Sequence, residues 1–246
     1  MTSRTALVTG GIGGIGSAIC RALASSGHRV IAADLPASET NLAAFRERMG
    51  ERPVFFEIGD VRSFDDCAAL VRRVEAVHGP VSVLVNNAGI AQDTTLRKME
   101  PAQWEAVLSV NLDSVFNLSK QVVEGMCERG FGRIVNISSI IGQTGAFGQT
   151  NYAAAKAGMH GFTMALAREV ARKGVTVNSI SPGYIRSAMT DAIPEEIREQ
   201  VLATIPAGRI GLPEDIARVV AFLCAEESSY LTGVNLPVNG GLFMSF

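Results

Sequence analysis

Residues 5–34 read TALVTGGIGGIGSAICRALASSGHRVIAAD, and this stretch contains the pattern that decides the fold. The short apolar run Thr5–Thr9 predicts a strand that ends at a cluster of glycines. Apolar residues at helical spacing over Ile15–Ala24 predict a helix that stops at Gly27, and a second apolar run, Arg29–Ala33, predicts another strand. The stretch therefore predicts a strand–helix–strand unit.

The same alternation continues along the rest of the chain. Further strands are predicted at Pro53–Ile58, Val81–Val85, Arg133–Ser138, Val175–Ile180 and Gly233–Val238, and further helices at Ser63–His78, Pro101–Glu128, Tyr152–Arg172 and Pro213–Ala225. Unbroken apolar runs are typical of parallel strands that are covered by helices on both faces of the sheet. The sequence therefore predicts an α/β fold with a doubly wound, mostly parallel sheet. Because no Pro/Ser-rich linker or change of composition divides the chain, we expect one domain over residues 1–246.

The composition excludes several classes of protein. The chain has 246 residues, of which 47% are hydrophobic, and this is too apolar for a disordered protein. Its 22 Lys and Arg residues nearly balance its 24 Asp and Glu residues, and no basic run marks a surface for nucleic acid or an anionic membrane. No apolar run approaches the ~18 residues of a membrane span, and the N-terminal apolar run is too short for a signal peptide. We expect a cytoplasmic protein whose partners are small molecules.

Four cysteines, Cys20, Cys67, Cys127 and Cys224, lie far apart in the sequence. Their spacing matches neither a zinc-binding pair nor a disulfide-rich scaffold. We therefore expect buried free thiols and no metal site.

A glycine-rich turn joins the first predicted strand to the first helix. It contains Gly10, Gly11, Gly13, Gly14 and Gly16, with Ile15 between the last two. Glycines in this context let the backbone approach a pyrophosphate, and the start of the helix supplies free N–H groups. A tight turn without a ligand is the alternative, but the position inside a strand–helix–strand unit favours a dinucleotide site.

Asp34 ends the second strand, 18 residues after Gly16, which is close to the ~20 residues expected for an acid that binds ribose hydroxyls. A turn or helix-capping aspartate is the alternative. A carboxylate here would repel a 2′-phosphate, and no Lys or Arg lies between Val30 and Arg46 to attract one. The sequence therefore favours NAD(H) over NADP(H).

Tyr152 and Lys156 lie four residues apart at the start of a predicted helix, so their side chains share one face. A nearby Lys cation favours the phenolate and would lower the pKa of the tyrosine toward the range of a general acid or base. Ser139 follows a predicted strand, at the edge where sites of parallel sheets collect. Its neighbour Ser138 is an equally placed hydroxyl, and the sequence does not decide between them.

Several ordered motifs resemble those of the short-chain dehydrogenase/reductase family. Thr9–Gly16 resembles its TGxxxGxG signature, Asn86–Gly89 its NNAG motif, Ser139 with Tyr152 and Lys156 its Ser and YxxxK, and Pro182–Gly183 its PG turn. The resemblance covers the whole chain. The resemblance implies a Rossmann-like sheet of about seven strands, a nicotinamide cofactor and a homotetramer.

The resemblance also implies roles for individual residues. Tyr152 would transfer a proton, Ser139 would bind the carbonyl oxygen, and Lys156 would lower the pKa of Tyr152 and hold the nicotinamide ribose. Asn111 would support a water relay to Lys156. Further cofactor contacts are implied for Asp60 and Val61 at adenine, Asn87, Ala88 and Gly89 at the adenine ribose side, and Pro182, Gly183, Ile185 and Ser187 at the nicotinamide, with Ser187 in place of the family's more frequent Thr.

Within the family, stretches such as residues 132–139, 147–152 and 160–167 resemble acetoacetyl-CoA reductases and 3-oxoacyl carrier-protein reductases. This likeness implies that Phe147, Gln149 and Tyr184 contact the acyl group or its thioester arm, together with Ser139, Tyr152 and Gly183. Two features depart from that group: Ala146 stands where Gln is usual, and Asp34 belongs to an NAD-binding pattern although the familiar members use NADPH.

The resemblance therefore implies reduction of acetoacetyl-CoA to the (R)-3-hydroxy thioester with NADH. A 3-oxoacyl carrier-protein reductase and an NAD-dependent 3-hydroxybutyrate dehydrogenase remain alternatives. A nucleotide-binding module without chemistry is a remote one, because Ser139, Tyr152 and Lys156 are all present. A lid is expected over Ile185–Pro206, with a helix that starts within Ala192–Glu196 and with Met189 and Ile193 as candidate acyl contacts.

Overall fold

The computed structural model describes residues 3–186 and 195–244, and within them one seven-stranded sheet in the order β3-β2-β1-β4-β5-β6-β7. The strands are β1 (Thr5–Thr9), β2 (Arg29–Asp34), β3 (Val54–Ile58), β4 (Val81–Asn86), β5 (Gly132–Ile137), β6 (Val175–Pro182) and β7 (Asn235–Val238). Each neighbouring pair is parallel, so the doubly wound α/β prediction is confirmed, and the described sheet is parallel throughout rather than mostly parallel. Ser187, Met189 and Ile193 lie outside the described residues.

Helices connect the strands. They are α1 (Gly14–Ser25), α2 (Glu39–Met49), α3 (Phe64–His78), α4 (Pro101–Leu108), α5 (Ser114–Glu128), α6 (Ile141–Thr144), α7 (Thr150–Val170), α8 (Glu195–Thr204) and α9 (Pro213–Cys224). A π-helical segment, Ser109–Asp113, separates α4 from α5. The long helix expected from Pro101 to Glu128 is therefore divided, and the division carries Asn111.

Two apolar clusters fill the space between the helices and the sheet. Ala6 and Val8 of β1 belong to the cluster that packs against α1, α2 and α9, whereas Leu7 belongs to the cluster against α3, α5 and α7. Successive residues of a strand point to opposite faces, so a strand between two helical layers must be apolar at every position. This arrangement accounts for the unbroken apolar runs in the sequence.

The sequence analysis did not predict α2. Among its residues only Phe45 and Met49 are buried, so no apolar stripe marks a helix. Its start is set locally, because the hydroxyl of Ser38 accepts the N–H of Asn41 at 3.2 Å.

Three of the four free cysteines, Cys20, Cys67 and Cys224, are buried, as expected, and Cys127 is half-buried. Burial raises the pKa of each buried thiol to about 12, so these groups are unreactive. Within residues 3–186 and 195–244, no helix combines the length and apolar character needed to cross a bilayer.

Candidate active site

A cleft of about 700 Å³ lies at the carboxyl ends of the central strands, where parallel sheets place their ligands. Its lining includes most of the predicted site residues: Gly10, Gly13, Gly14, Ile15, Gly16, Asp34, Asp60, Val61, Asn87, Ala88, Gly89, Ser139, Tyr152, Lys156, Pro182, Gly183, Tyr184 and Ile185. Four others, Gly11, Asn111, Phe147 and Gln149, are not part of the lining.

The glycine turn between β1 and α1 owes its shape to missing side chains. Gly10 has φ +60°, and a Cβ on Gly16 would lie 2.1 Å from the carbonyl oxygen of Gly10. A Cβ on Gly11 would lie 2.7 Å from Ala32, so this glycine lets the turn pack on β2. A Cβ on Gly14 would meet nothing within 4 Å. Gly14 therefore leaves open space on the cleft side of the turn.

The start of α1 is suited to an anion. Its first turn carries no acidic residue, and no side chain caps it at Gly13. The first N–H groups of a helix have no partner within the helix, and the helix dipole makes this end positive. Together with the open space at Gly14, these features fit the pyrophosphate of a dinucleotide.

The loop after β4 fixes the glycine turn. The hydroxyl oxygen of Thr9 accepts the N–H groups of Asn87 and Ala88, both at 3.0 Å. The amide of Asn87 donates to the carbonyl oxygens of Thr9 at 2.9 Å and Gly10 at 3.2 Å. The side chain of Asn87 is thus bound to the turn, and its contribution to a cofactor site comes from the backbone.

The end of the cleft beside β2 and β3 contains two carboxylates. That of Asp34 accepts the N–H of Leu35 at 2.9 Å and of Ile12 at 3.3 Å. Partial burial raises its pKa, and these two hydrogen bonds act in the opposite direction. Asp60 pairs with Arg62 at 2.6 Å, and this hydrogen bond lowers the pKa of Asp60.

Lys156 is held in the floor of the cleft. Its Nζ donates to the carbonyl oxygen of Ile137 at 2.8 Å, and only 3% of the side chain is exposed. Burial lowers the pKa of this ammonium from its ordinary value of 10.5 to about 7. A group with this pKa exchanges protons readily near neutral pH.

Tyr152 lies beside Lys156, with 5.6 Å between the lysine Nζ and the centre of the phenol ring. Burial raises the pKa of Tyr152, a hydrogen bond with Ser139 lowers it, and the charge of Asp93 raises it further. The expected lowering of the Tyr152 pKa by Lys156 is therefore not found, because the surrounding groups of the protein raise this pKa on balance. The reason is that burial disfavours the charged forms of both side chains, the phenolate and the ammonium.

The two adjacent serines have different surroundings. The hydroxyl of Ser139 accepts the N–H of Ile141 at 3.1 Å and hydrogen-bonds with Tyr152. The hydroxyl of Ser138 instead donates to the carbonyl oxygen of Lys156 at 2.8 Å. The geometry favours Ser139 as the hydroxyl that faces the reaction.

The chain is similar to known reductases over nearly its whole length. A family model described as enoyl-(acyl carrier protein) reductase matches residues 10–243. The acetoacetyl-CoA reductase of Allochromatium vinosum is 56% identical over 246 residues, covering 98% of this chain and 99% of that one. The acetoacetyl-CoA reductase of Cupriavidus necator is 52% identical over 99% of this chain and 100% of its own. The 3-oxoacyl-(acyl-carrier-protein) reductase of Vibrio cholerae is 43% identical over 99% of both chains.

The chain belongs to the short-chain dehydrogenase/reductase family. It is an oxidoreductase that acts on a C=O/CH–OH pair with a nicotinamide cofactor. The glycine turn and the start of α1 described above fit that cofactor. Among the described residues, no cluster of His, Cys, Asp and Glu could hold a metal ion.

Asn111 lies in the π-helical segment of this short-chain dehydrogenase and is fully buried. Its side-chain oxygen accepts the N–H of Ile90, and its amide donates to the carbonyl oxygen of Ile90, both at 2.8 Å. A Cβ on Gly89 would lie 3.0 Å from the side-chain oxygen of Asn111 and 3.5 Å from Nζ of Lys156. Asn111 thus fixes the loop beside Lys156 through both ends of its side-chain amide.

A residue that the sequence analysis did not select acts on Tyr152. Asp93 accepts a hydrogen bond from Gln149 at 2.7 Å and acts on the pKa of Tyr152. It follows the NNAG motif by four residues, and nothing in its local sequence indicates this position. Of the other predicted substrate contacts, Phe147 is 93% exposed and Tyr184 is 40% exposed.

Two backbone hydrogen bonds join the start of the segment after β6 to Gly211. The N–H of Gly211 donates to the carbonyl oxygen of Tyr184 at 2.9 Å, and the N–H of Arg186 donates back to Gly211 at 2.8 Å. The helix expected to start within Ala192–Glu196 begins at Glu195. Ser187, the last predicted cofactor contact, lies outside the described residues.

Proposed function

We propose that the chain reduces a 3-oxoacyl thioester, acetoacetyl-CoA, to (R)-3-hydroxybutanoyl-CoA with NADH. The observation that carries the proposal is the convergence of Ser139, Tyr152 and Lys156 in one cleft. The substrate is supported by relatives named acetoacetyl-CoA reductase, which align with the chain over nearly its whole length at 52% and 56% identity.

The residues of the cleft would handle the proton and the carbonyl oxygen. The nicotinamide cofactor supplies a hydride to the carbonyl carbon when it is bound. Ser139 would donate a hydrogen bond to the carbonyl oxygen, and Tyr152 would give this oxygen its proton as the C=O becomes CH–OH. A raised pKa keeps Tyr152 protonated before the reaction, as a proton donor requires. Lys156, with a pKa of about 7, would return a proton to Tyr152.

The rest of the cleft would hold the dinucleotide. We assign the pyrophosphate to the glycine turn, the adenine ribose to Asp34 and the adenine to Asp60–Val61. Pro182–Ile185 would lie against the nicotinamide. Asn111 would maintain the loop beside the nicotinamide ribose through its two hydrogen bonds to Ile90.

We assign NADH rather than NADPH on the position of Asp34. Its carboxylate is fixed by two backbone N–H groups in the lining of the cleft, so it cannot turn away from an incoming 2′-phosphate without losing them. Arg48, a cation near this turn, donates to the carbonyl oxygen of Ile12 at 3.2 Å and is thereby held by the backbone. Repulsion by the acid supplies the discrimination.

The cofactor assignment is tested by kcat/KM with NADH and with NADPH. The wild type should prefer NADH, and Asp34→Ser should reduce the preference by about tenfold, since it removes one charge repulsion of about 1–2 kcal/mol. Asp113→Ser, an acidic position outside the cleft lining, is the control and should leave the ratio unchanged. A wild type that prefers NADPH would refute the assignment.

The substrate is tested by the rate of NADH oxidation with three compounds. We expect the highest kcat/KM with acetoacetyl-CoA, a lower value with the acetoacetyl carrier protein and the lowest with free acetoacetate. The 43% identity to a 3-oxoacyl-(acyl-carrier-protein) reductase makes the carrier-protein thioester the second candidate. Faster turnover of the carrier-protein substrate would establish that alternative, and faster turnover of free acetoacetate would indicate a 3-hydroxybutyrate dehydrogenase.

Two further expectations go with this proposal. We propose a homotetramer in the cytoplasm, on the family resemblance described above. Light scattering on the eluted protein should give a mass of four chains of 26.0 kDa. A monomer at micromolar concentration would contradict it.

A further inference from the structure

His160 is a titratable group next to the catalytic residues that the proposed reaction does not use. It lies on α7, one turn after Lys156, and is half-buried. Its Nε2 lies 2.8 Å from the hydroxyl of Ser138 and 3.3 Å from the hydroxyl of Ser181. The ring thus connects α7 to Ser138, which follows β5, and to Ser181, which lies at the end of the adjacent strand β6.

The neighbouring hydrogen bonds determine which ring nitrogen carries the proton. The single hydrogen of Ser138 is donated to the carbonyl oxygen of Lys156 at 2.8 Å, because a carbonyl can only accept. The hydrogen of Ser181 is donated to the side-chain oxygen of Asn235 at 2.9 Å. Neither hydroxyl has a hydrogen left for the imidazole. Nε2 of His160 is therefore the protonated nitrogen, and its one hydrogen is directed mainly to the closer oxygen, that of Ser138.

Lys156 is anchored at both of its ends next to β5. Its Nζ donates to the carbonyl oxygen of Ile137, and its own carbonyl oxygen accepts from Ser138, the next residue in sequence, both at 2.8 Å. A Cβ on Gly142 would lie 2.8 Å from the carbonyl carbon of Lys156, so α6 also packs tightly against this point. The orientation of Ser138 therefore matters for the placement of Lys156, and His160 sets that orientation.

We infer that neutral His160, protonated on Nε2, is a positioning residue that holds Lys156 in its working place through the hydroxyl of Ser138. This inference rests on the proposed role of Lys156. The groups that face the ring or its partners from the sheet are uncharged; they are Ser138, Ser181 and Asn235. Among the charged groups of the described residues, Lys156 is the one that acts on the pKa of His160, and together with burial it lowers that pKa. A second positive charge on the ring would oppose the ammonium of Lys156.

The kinetic test compares His160→Leu with His160→Gln, since a glutamine amide can still donate to Ser138. We expect His160→Leu to lower kcat about tenfold with the KM for the thioester unchanged, because small displacements of catalytic groups are costly. His160→Gln should recover most of the lost kcat. Ser138→Ala should resemble His160→Leu, and the double variant should show no additional loss because both act through one contact.

The pH profile separates positioning from a general structural role. The titration of Lys156, with a pKa of about 7, affects both proteins alike, so the test is the ratio of their kcat values. Because the pKa of His160 is lowered from 6.5, the kcat of the wild type should fall relative to that of His160→Gln as the pH drops below 6.5 and His160 gains a proton. The inference would be overturned if the kcat of His160→Leu equalled that of the wild type, or if the Gln and Leu variants lost kcat equally. If His160→Leu does not fold, Ser138→Ala and the Gln pH profile still decide the matter.

A measurement without substrate distinguishes this inference from the proposed function. Nitrogen-15 NMR of the His160 imidazole in the wild type at pH 7.5 should show the proton on Nε2. A proton on Nδ1 would overturn the inference, whatever substrate the enzyme reduces. Failure of the wild type to oxidise NADH with acetoacetyl-CoA would refute the proposed substrate and leave the NMR result valid.

Discussion

The two halves of the sheet build their parts of the cleft in opposite ways. Around β1–β3, the shape depends on side chains that are missing: Gly10, Gly11 and Gly16 let backbone segments approach where a Cβ would collide. Around β4–β7, the shape depends on polar side chains that are buried: Asn86, Asn111, Asn136, Ser138, Ser139, Lys156, Thr163, Asn178, Ser179 and Ser181. In the proposed function, the first half would present backbone to the cofactor, whereas the second half would hold the proton-transfer groups in fixed places.

The difference has an energetic reason. A phosphate is bound by N–H groups of the chain itself, so the binding turn needs only close approach and a free helix end. A proton donor must be a side chain in a fixed position, and a buried polar side chain is stable only when its hydrogen bonds are satisfied. The catalytic half therefore contains connected hydrogen bonds: the amide N–H of Asn86 donates to Asn136 at 2.8 Å, and the amide of Asn136 donates to Thr163 at 2.9 Å. The side-chain oxygen of Asn86 has no protein partner within the part of the chain that the structure describes.

Tyr152→Phe should give the largest effect and should be confined to the catalytic half. Removal of the phenol hydroxyl takes away the proposed proton donor, so kcat should fall about 10²- to 10⁴-fold. The affinity for NADH, measured by fluorescence titration, should remain within about twofold of the wild type. Substantial residual turnover would contradict the proton-transfer role, and lost NADH binding would show that the two halves are not separable in this way.

Gly16→Ala should damage the cofactor half. Its Cβ would lie 2.1 Å from a backbone oxygen, so the turn must move, and overpacking of this kind costs about 1–3 kcal/mol of stability. NADH affinity should fall at least about tenfold. Gly14→Ala is the matched control, because its Cβ meets no protein atom within 4 Å. It should keep the melting temperature of the wild type yet weaken NADH binding, and a lowered melting temperature in this variant would contradict the proposed use of the open space.

Asn136→Ala tests whether the buried hydrogen bonds of the catalytic half stabilise the fold. It leaves the Asn86 amide and the Thr163 hydroxyl without their partner, which should cost about 1–3 kcal/mol in the free energy of unfolding. Asn41→Ala, at an exposed position on α2, should change it by less than about 0.5 kcal/mol. Urea denaturation measures both, and equal effects would show that the buried network is not a stabilising feature.

Lys156 should give the smallest effect, a dependence of stability on pH. Its pKa is about 7 in the folded chain and near 10.5 when unfolded, so between pH 7 and 8.5 the unfolded state binds more protons and stability rises with pH. The slope from one group is at most about 1.4 kcal/mol per pH unit. Lys156→Met should flatten this rise in urea denaturation, and an unchanged slope would show that the lysine is not protonated on unfolding. Above pH 8.5 the buried thiols, with a pKa of about 12, act in the opposite direction.

The contrast between the halves also explains what the sequence could predict. Glycines are visible in a sequence, and the strands are visible because both of their faces are buried, so the fold and the turn were predicted with their residues. Tyr152 and Lys156 were visible as a spaced pair. Asp93 was not visible in the sequence, because its hydrogen bond with Gln149 depends on two loops that meet only in the folded chain.

The π-helical segment and α2 were missed for different reasons. The amide of Asn111 is satisfied by Ile90, a residue of another loop, so the break between α4 and α5 depends on a tertiary contact. In α2 the apolar signal is weak because only Phe45 and Met49 face the core. The choice between Ser138 and Ser139 likewise required knowing which hydroxyl turns toward Tyr152.

The strand order has a consequence for how the protein is made. β1 leaves the ribosome before the other six strands of this sheet, yet one of its edges pairs with β4, which ends at Asn86. Until then, a short apolar strand with an unpaired edge is exposed on the nascent chain, and such edges are where folding intermediates aggregate. The cleft is complete only after Ile185 has been synthesised. The cofactor cleft therefore cannot guide an early chain. Pairing with β2 covers only the other edge of β1, so the edge that waits for β4 needs a different protection, such as a chaperone.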